Sequence, residues 1–489
     1  MKNHVLSKIM FILLAGLFCL PGTSCSEKLS SIPPRSKPAN YNNLKYTPLG
    51  NIEIPEIERV TLDNGMQLFL LEDHELPLIN ASAMIRTGSV YEPADKVGLA
   101  SITGTVMRTG GTTSKTGDQI DEELEQIAAS VSTGIGTDTG SASMSVLKED
   151  IDTGLAILAD VLMNPVFHED KIELAKVRQR SSIARRNDNM RSIAAREFIK
   201  LIYGPDSVYA RQTEYATIDN ITRDDLIAFH KKFYHPDNMM LAVCGDFDTQ
   251  QMIEKIKNAF QGWEKAGVEV PPVPEVTYDF KSTVNEIRKD DVNQSYVLMG
   301  HIGGMMNDPD YFALILMNRV LGSGFTSRLF KNVRSRMGLA YSAFGVYTSN
   351  YEYPGIFYVG CQTKLKSTVQ ATRAMINEVK KMTESEVTDE ELNLARENYL
   401  NSFVFNFASK GQIIGRLMTY EYFGYPADFL QKTKQNVEKV TKADVLRVAQ
   451  KNLHPDKMQI LAVGRPEEFD EPLSVFGPVN EIDITIPTP

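Results

Sequence analysis

Residues 221–245, ITRDDLIAFHKKFYHPDNMMLAVCG, return without a gap at 440–464 as VTKADVLRVAQKNLHPDKMQILAVG. Thr222 aligns with Thr441, Asp225 with Asp444, Lys232 with Lys451, and His235-Pro236-Asp237 with His454-Pro455-Asp456. Met239 and Gly245 meet Met458 and Gly464 in the same register. Each copy reads as a short helix, a Pro-Asp turn, and an apolar strand running into glycine. The interval is far longer than the roughly 20–50 residues of a solenoid unit. Two whole domains of one fold are therefore expected, each closed by the same helix–turn–strand unit.

The rest of the 489-residue chain is consistent with that frame, being 42% apolar and 23% charged, enough for more than one core. Length alone would suggest about three domains; the repeat argues for two, with a linker at 267–280, where four valines and three prolines fall without helical period. The expected boundaries are an N-terminal domain at 53–266, a C-terminal domain at 281–470 and a tail at 471–489. A formal charge of -10 speaks against a general nucleic-acid binder.

The N-terminus reads as targeting rather than fold. Lysines at 2 and 8 precede the apolar run IMFILLAGLFCL at 9–20, which is too short for the ~20 residues of a membrane span. Gly22-Thr23-Ser24-Cys25 follows, small residues and then cysteine, and this resembles a bacterial lipoprotein signal. Residues 1–25 are thus expected to be a lipoprotein signal with Cys25 lipid-bearing, and 26–52 a tether. The expected location is the bacterial cell envelope, lipid-anchored and periplasm-facing; ordinary secretory cleavage is the alternative. Of the remaining cysteines, Cys244 and Cys361 sit in separate halves within apolar strand patterns, and two unpaired buried thiols are expected rather than a disulfide.

Along the first half, strands are expected at 58–62, 66–72, 79–87 and 141–146, and helices at 97–108, 116–129 and 152–163. One long helix is expected at 169–203. The second half echoes this with strands at 295–300, 340–348 and 355–362 and helices at 308–321, 327–337, 365–383, 388–406 and 411–423. Strands in runs with helices gathered between them indicate an α+β fold of two homologous domains. Each is expected to be a largely antiparallel sheet packed with helices, the two facing each other as a clamshell. Gly322-Ser323-Gly324 precedes a helix, but no lysine stands where a phosphate loop needs one.

Two such domains, with Gly98-Leu99-Ala100, Met163-Asn164-Pro165-Val166-Phe167 and Ser327-Arg328-Leu329-Phe330…Gly338-Leu339-Ala340-Tyr341-Ser342, together resemble the pitrilysin/insulinase family of zinc metallopeptidases. The likeness includes its two-domain bacterial and mitochondrial-processing-peptidase-like branch and covers about 54–464. Active members carry an inverted zinc motif, His-x-x-Glu-His, on the helix after Gly-Leu-Ala, and a glutamate ligand further along. Histidines at i and i+4 share one helix face and can grip a metal, while glutamate at i+3 activates the bound water.

Here the matching positions are Ser101, Gly104 and Thr105, with Ser182 at the distant ligand position. No histidine lies between His74 and His168, and no carboxylate between Asp95 and Asp118, so a one-residue slip cannot restore the motif. The expectation is a chain with no metal ligands and no catalytic residues of its own. His235 and His454, paired by the repeat, are expected in turns, not as ligands.

In the family, an arginine and a tyrosine seven residues apart in the C-terminal domain contact substrate near the scissile bond. The resemblance places these at Arg334 and Tyr341, whose fixed donors and hydroxyl suit a peptide carbonyl and its developing oxyanion. It implies a zinc-less subunit that pairs with a zinc-bearing chain around an unfolded peptide; a non-enzymatic peptide-binding or scaffold protein is the alternative. Finally, 176–200 is rich in Lys and Arg, with Arg178, Ser182, Arg185 and Arg186 near one helical face. A solvated or intrachain-paired basic face is the favoured reading, and binding of an acidic peptide or partner the other.

Overall fold

The computed structural model describes residues 55–487 except Ala427. The signal-like 1–25, Cys25 and the tether lie outside the described residues.

The first half builds a six-stranded sheet in the order β1-β2-β6-β3-β5-β4. Its strands are β1 (Glu58–Thr61), β2 (Gln67–Glu72), β3 (Leu78–Ile85), β4 (Ser130–Ile135), β5 (Gly140–Leu147) and β6 (Met239–Gly245). Only β2 and β6 run parallel; the other neighbours are antiparallel. Its longer helices are α1 (Leu99–Thr109), α2 (Gly117–Gln126), α3 (Ile151–Met163), α4 (Glu169–Ala184), α5 (Met190–Tyr203), α6 (Arg223–Phe233) and α7 (Thr249–Ala259), with a short turn of helix at Tyr215–Asp219.

The second half repeats the plan with β7 (Thr283–Arg288), β8 (Gln294–Ile302), β10 (Ala340–Tyr347), β12 (Ile356–Lys364), β13 (Gln459–Gly464) and β14 (Val479–Glu481). Their order is β10-β12-β8-β13-β7-β14, while β9 (Gly304–Met305) and β11 (Ser349–Asn350) form a small separate ladder. Again a central pair, β13 and β7, is parallel within an otherwise mostly antiparallel sheet. Helices α8 (Tyr311–Leu321), α9 (Thr368–Glu384), α10 (Asp389–Phe403), α11 (Lys410–Tyr422), α12 (Phe429–Lys439) and α13 (Lys442–Asn452) accompany it.

The repeated stretch is α6-turn-β6 in one half and α13-turn-β13 in the other. Thr222 caps α6 through the Asp225 N–H, and Thr441 caps α13 through the Asp444 N–H, each returned by the aspartate carboxylate. Every residue of β6 and of β13 is buried, as befits unbroken apolar strands covered on both faces. One cover is local and the other is not. α5 of the first half packs on β8 and β13, placing Ile193, Phe198 and Ile202 against Leu298, Leu461 and Val463. In return, α11 of the second half lays Ile414, Met418 and Tyr422 on Phe69, Leu71 and Met240 of the first sheet. The two halves interlock through this exchange of helices.

Several elements depart from the sequence reading. The expected helix at 169–203 is two helices, broken by a turn over which Asn189 caps α5 by accepting the Arg191 and Ser192 N–H groups. α8 starts at Tyr311, with Asp308 accepting the Asp310 N–H before it, so Pro309 lies in the preceding turn and not in the helix. The segment at 330–336 is a wide, π-type helix, and the tail contributes β14, parallel to β7. Strands β4, β7, β9 and β11 and helices α7 and α12 are not among the elements expected from sequence. Cys244 and Cys361 are both free and buried. No helix among the described residues is long and apolar enough to cross a membrane.

Candidate functional site

The helix that would carry the zinc motif, α1, starts just after Gly98. The buried Glu92 carboxylate receives its first N–H groups, from Gly98 at 3.2 Å and Ala100 at 2.6 Å. An anion there complements both the free amides and the helix dipole. Burial pushes the Glu92 carboxyl up to about 7, against the opposing pull of those amides and of Arg211. The sequence reading missed Glu92, because it meets α1 across a loop and no local spacing marks it.

Further along α1 the motif positions are closed to metal chemistry. Ser101 is exposed and its hydroxyl takes the Gln179 side-chain N–H at 3.1 Å. The Thr105 hydroxyl donates to the Ser101 carbonyl at 2.9 Å. Gly104 is pressed against the unforeseen strand β4: a Cβ there would lie 2.6 Å from the Ile135 amide nitrogen and 2.9 Å from the Gly134 carbonyl carbon. In addition, Thr133 donates to the Gly104 carbonyl at 2.6 Å. A glutamate cannot stand where the backbone of β4 lies. The residues present do not fit a zinc site, since two hydroxyls and a glycine replace the histidines and the base. Among the described residues, no cluster of three His, Cys, Asp or Glu could hold a metal.

The distant ligand position, Ser182, is on α4, which packs against α1. It lies in a cavity of about 460 Å³ whose wall includes Arg178, Arg185, Arg186 and Arg196. The basic stretch is partly paired within the chain, as expected. Lys176 meets Glu173, Arg180 meets Asp219, Arg186 meets Glu214, and both Arg196 and Lys200 meet Glu197.

Arg334 and Tyr341 come together at the other half's sheet edge. Ser327 is buried and receives the Phe330 N–H, and Arg328 grips Glu391 of α10 with two bonds of 2.7 and 2.8 Å. Leu329 and Val333 are fully buried. Gly338 then turns the chain at a φ of +64°, a left-handed value that favours glycine, and β10 begins. The outcome is an outward-facing pair. Arg334 Nε donates to the Tyr341 carbonyl at 2.7 Å while its guanidinium lies 4.4 Å from the Phe330 ring centre. Tyr341 is 75% exposed, alongside exposed Phe325 and Met337. No hydrogen bond or ring contact among the described residues joins this pair to Ser101 or Ser182.

The histidines of the repeat act in turns. The His454 N–H donates to His301 Nε2, and the His235 carbonyl accepts the Asn238 N–H. His230 is buried against the Leu162 carbonyl at 2.9 Å, and burial lowers it to about 4. Gly322-Ser323-Gly324 ends α8, with both the Gly322 and Ser323 N–H groups donating to the Asn318 carbonyl.

Residues 69–203 match the family model described as Insulinase (Peptidase family M16), and 220–399 match that described as Peptidase M16 inactive domain. The chain belongs to the insulinase family. A relative from Rickettsia felis named an uncharacterized zinc protease is 27% identical over 74% of this chain and 87% of its own length. The Helicobacter pylori protein named non-peptidase homolog YmxG is 25% identical over 76% of this chain and 86% of its own. The crystal structure of a peptidase M16 inactive domain from Pseudomonas fluorescens superimposes with a TM-score of 0.76 at 23% identity, covering 84% of this chain and 98% of that one. The names of the two relatives point opposite ways on activity. For this insulinase-family chain, its own α1 sides with the inactive kind.

Proposed function

We propose that this insulinase-family chain is the zinc-less, substrate-holding subunit of a two-chain metallopeptidase. Its partner would be a chain of the same family bearing His-x-x-Glu-His, which supplies the zinc and the water activated on it. This chain contributes Arg334 and Tyr341 to an unfolded peptide held between the two subunits. The observation that carries the reading is the contrast within one molecule: backbone fills the place of the catalytic base at Gly104, while a well-anchored segment turns Arg334 and Tyr341 outward. Anchoring of the complex through a lipidated Cys25 in the bacterial envelope, facing the periplasm, belongs to the same proposal.

The test is cleavage of quenched fluorescent peptides by this chain alone, by a co-expressed zinc-motif chain alone, and by both together, with metal content measured. Activity is expected only in the mixture, and lost about 10²-fold in Arg334→Ala or Tyr341→Phe, the scale of a missing oxyanion donor. Zinc-dependent cleavage by this chain alone would overturn the proposal. A second reading, a non-enzymatic peptide-binding or scaffold protein, is favoured by the name of the Helicobacter pylori relative. It predicts peptide binding without cleavage in any mixture.

A further inference from the structure

Within the cavity at the distant ligand position, charge is unevenly compensated. Arg186 and Arg196 are mostly buried and fixed. Arg186 bonds Glu214 and the Thr213 carbonyl, and Arg196 bonds Glu197, Asn187 and the Arg186 carbonyl. Arg178 and Arg185 are exposed and have no carboxylate partner among the described residues. Among the described residues no carboxylate lines the cavity; its other walls include Asn189 and Gln212. The buried Nε–H of Arg186 has no acceptor among the described residues. The start of α5, capped by Asn189, adds its positive end to the same wall. Two uncompensated guanidiniums and two immobilised ones therefore line one space, in a chain whose formal charge is -10. Such a site selects an oxyanion, and the planar forks of arginine suit a carboxylate in particular.

We infer, resting on the peptide-holding role proposed above, that this cavity is a carboxylate subsite through which the chain prefers acidic peptides. The position that supplies a metal-binding carboxylate in active members of the family thus receives a substrate carboxylate here. Ser182, at the cavity wall, leaves room for it. The carboxylate comes either from an Asp or Glu side chain or from the peptide C-terminus, since both present the same pair of oxygens.

The test is fluorescence anisotropy on the full chain with three labelled peptides of equal length. One carries acidic side chains and an amidated C-terminus, one is neutral with a free C-terminus, and one is neutral and amidated. One of the first two is expected to bind at least tenfold more tightly than the third, and which one does so identifies the source of the carboxylate. In Arg178→Ala/Arg185→Ala that preference ratio is expected to fall about tenfold. Both side chains are exposed, so the fold is not at stake, and Ser182→Glu provides an independent check by placing a carboxylate in the cavity from within. It too should abolish the preference. Neutral peptide binding with no acidic preference would overturn the subsite while leaving the peptide-holding role intact. A preference that survives both variants would also overturn it. Binding of inorganic phosphate with the same arginine dependence, but no gain from any peptide carboxylate, would show a free-anion site and overturn the peptide assignment. Failure of all three peptides to bind would overturn the peptide-holding role itself.

Discussion

Helix α1 in the first half and the segment at 327–341 in the second are the two places to which the family resemblance assigns zinc and substrate contacts, and the structure treats them in opposite ways. On α1, strand β4 lies so close that Gly104 has space for no side chain, and the neighbouring hydroxyls of Ser101 and Thr105 are taken up by Gln179 and by the helix itself. At 327–341, buried Leu329 and Val333 and the Arg328–Glu391 pair hold the backbone, and what they hold in place faces solvent. Loss of a catalytic group by point substitution would leave an open site that could be refilled. A site closed by backbone is different, and that contrast can be measured.

The largest effect is expected from rebuilding the motif. In Ser101→His/Gly104→Glu/Thr105→His, the new Cβ at 104 meets β4 backbone that cannot yield without breaking the sheet edge. A loss of ~3 kcal/mol or more is expected in urea unfolding, on the scale of severe overpacking. Ser101→His alone, at an exposed position, is expected within ~0.5 kcal/mol of the parent. A triple variant with the parent's unfolding midpoint and one tightly bound zinc would mean that α1 is merely mutated, not closed.

The same helix gives a second, smaller test through pH. Glu92 has its carboxyl raised from an ordinary value near 4.5 to about 7, burial being the main cause. A carboxyl raised on folding binds its proton more tightly in the folded state. Its contribution is therefore full below about pH 4.5 and is lost as pH rises towards about 7. The full shift corresponds to about 3 kcal/mol at most. Glu92→Gln should flatten this part of the stability–pH curve relative to the parent. An unchanged difference between pH 4.5 and 7.5 would show that the amides of Gly98 and Ala100 offset the burial.

What could be read from sequence follows the range of the forces involved. The helix starts expected at 116 and 388 fall at Thr116 and Thr388, each of which bonds to an N–H three residues on, so their signal is local and was legible. The internal repeat was equally plain, because a twice-used core strand must be apolar throughout. By contrast, β4 reads Ser-Val-Ser-Thr-Gly-Ile, polar enough to pass for a loop, and it is an edge strand. Yet it is β4 that makes Gly104 obligatory. The break between α4 and α5 falls at Asn187-Asp188-Asn189, a short local turn signal that the helix-forming residues on either side outweigh in a sequence reading. The exchange of α5 and α11 between halves depends on contacts more than a hundred residues apart, which no periodicity encodes. For the site, the missing zinc ligands and the Arg334–Tyr341 spacing were legible. The sealing of Gly104 and the buried carboxylate of Glu92 were not, because both arise from tertiary approach.

The smallest expected effect on stability is at the second region, and its smallness is the informative part. The Tyr341 side chain is exposed, and its hydroxyl makes no hydrogen bond among the described residues, so Tyr341→Phe should unfold within ~0.5 kcal/mol of the parent. Arg334→Ala removes the bond to the Tyr341 carbonyl and the stacking on Phe330, and a loss near ~1 kcal/mol is expected. Small stability effects at residues displayed by an anchor as firm as Arg328–Glu391 are what the proposed peptide-holding role requires. If Tyr341→Phe instead cost as much as a core substitution, the hydroxyl would belong to the fold, and the second region would be as closed as the first.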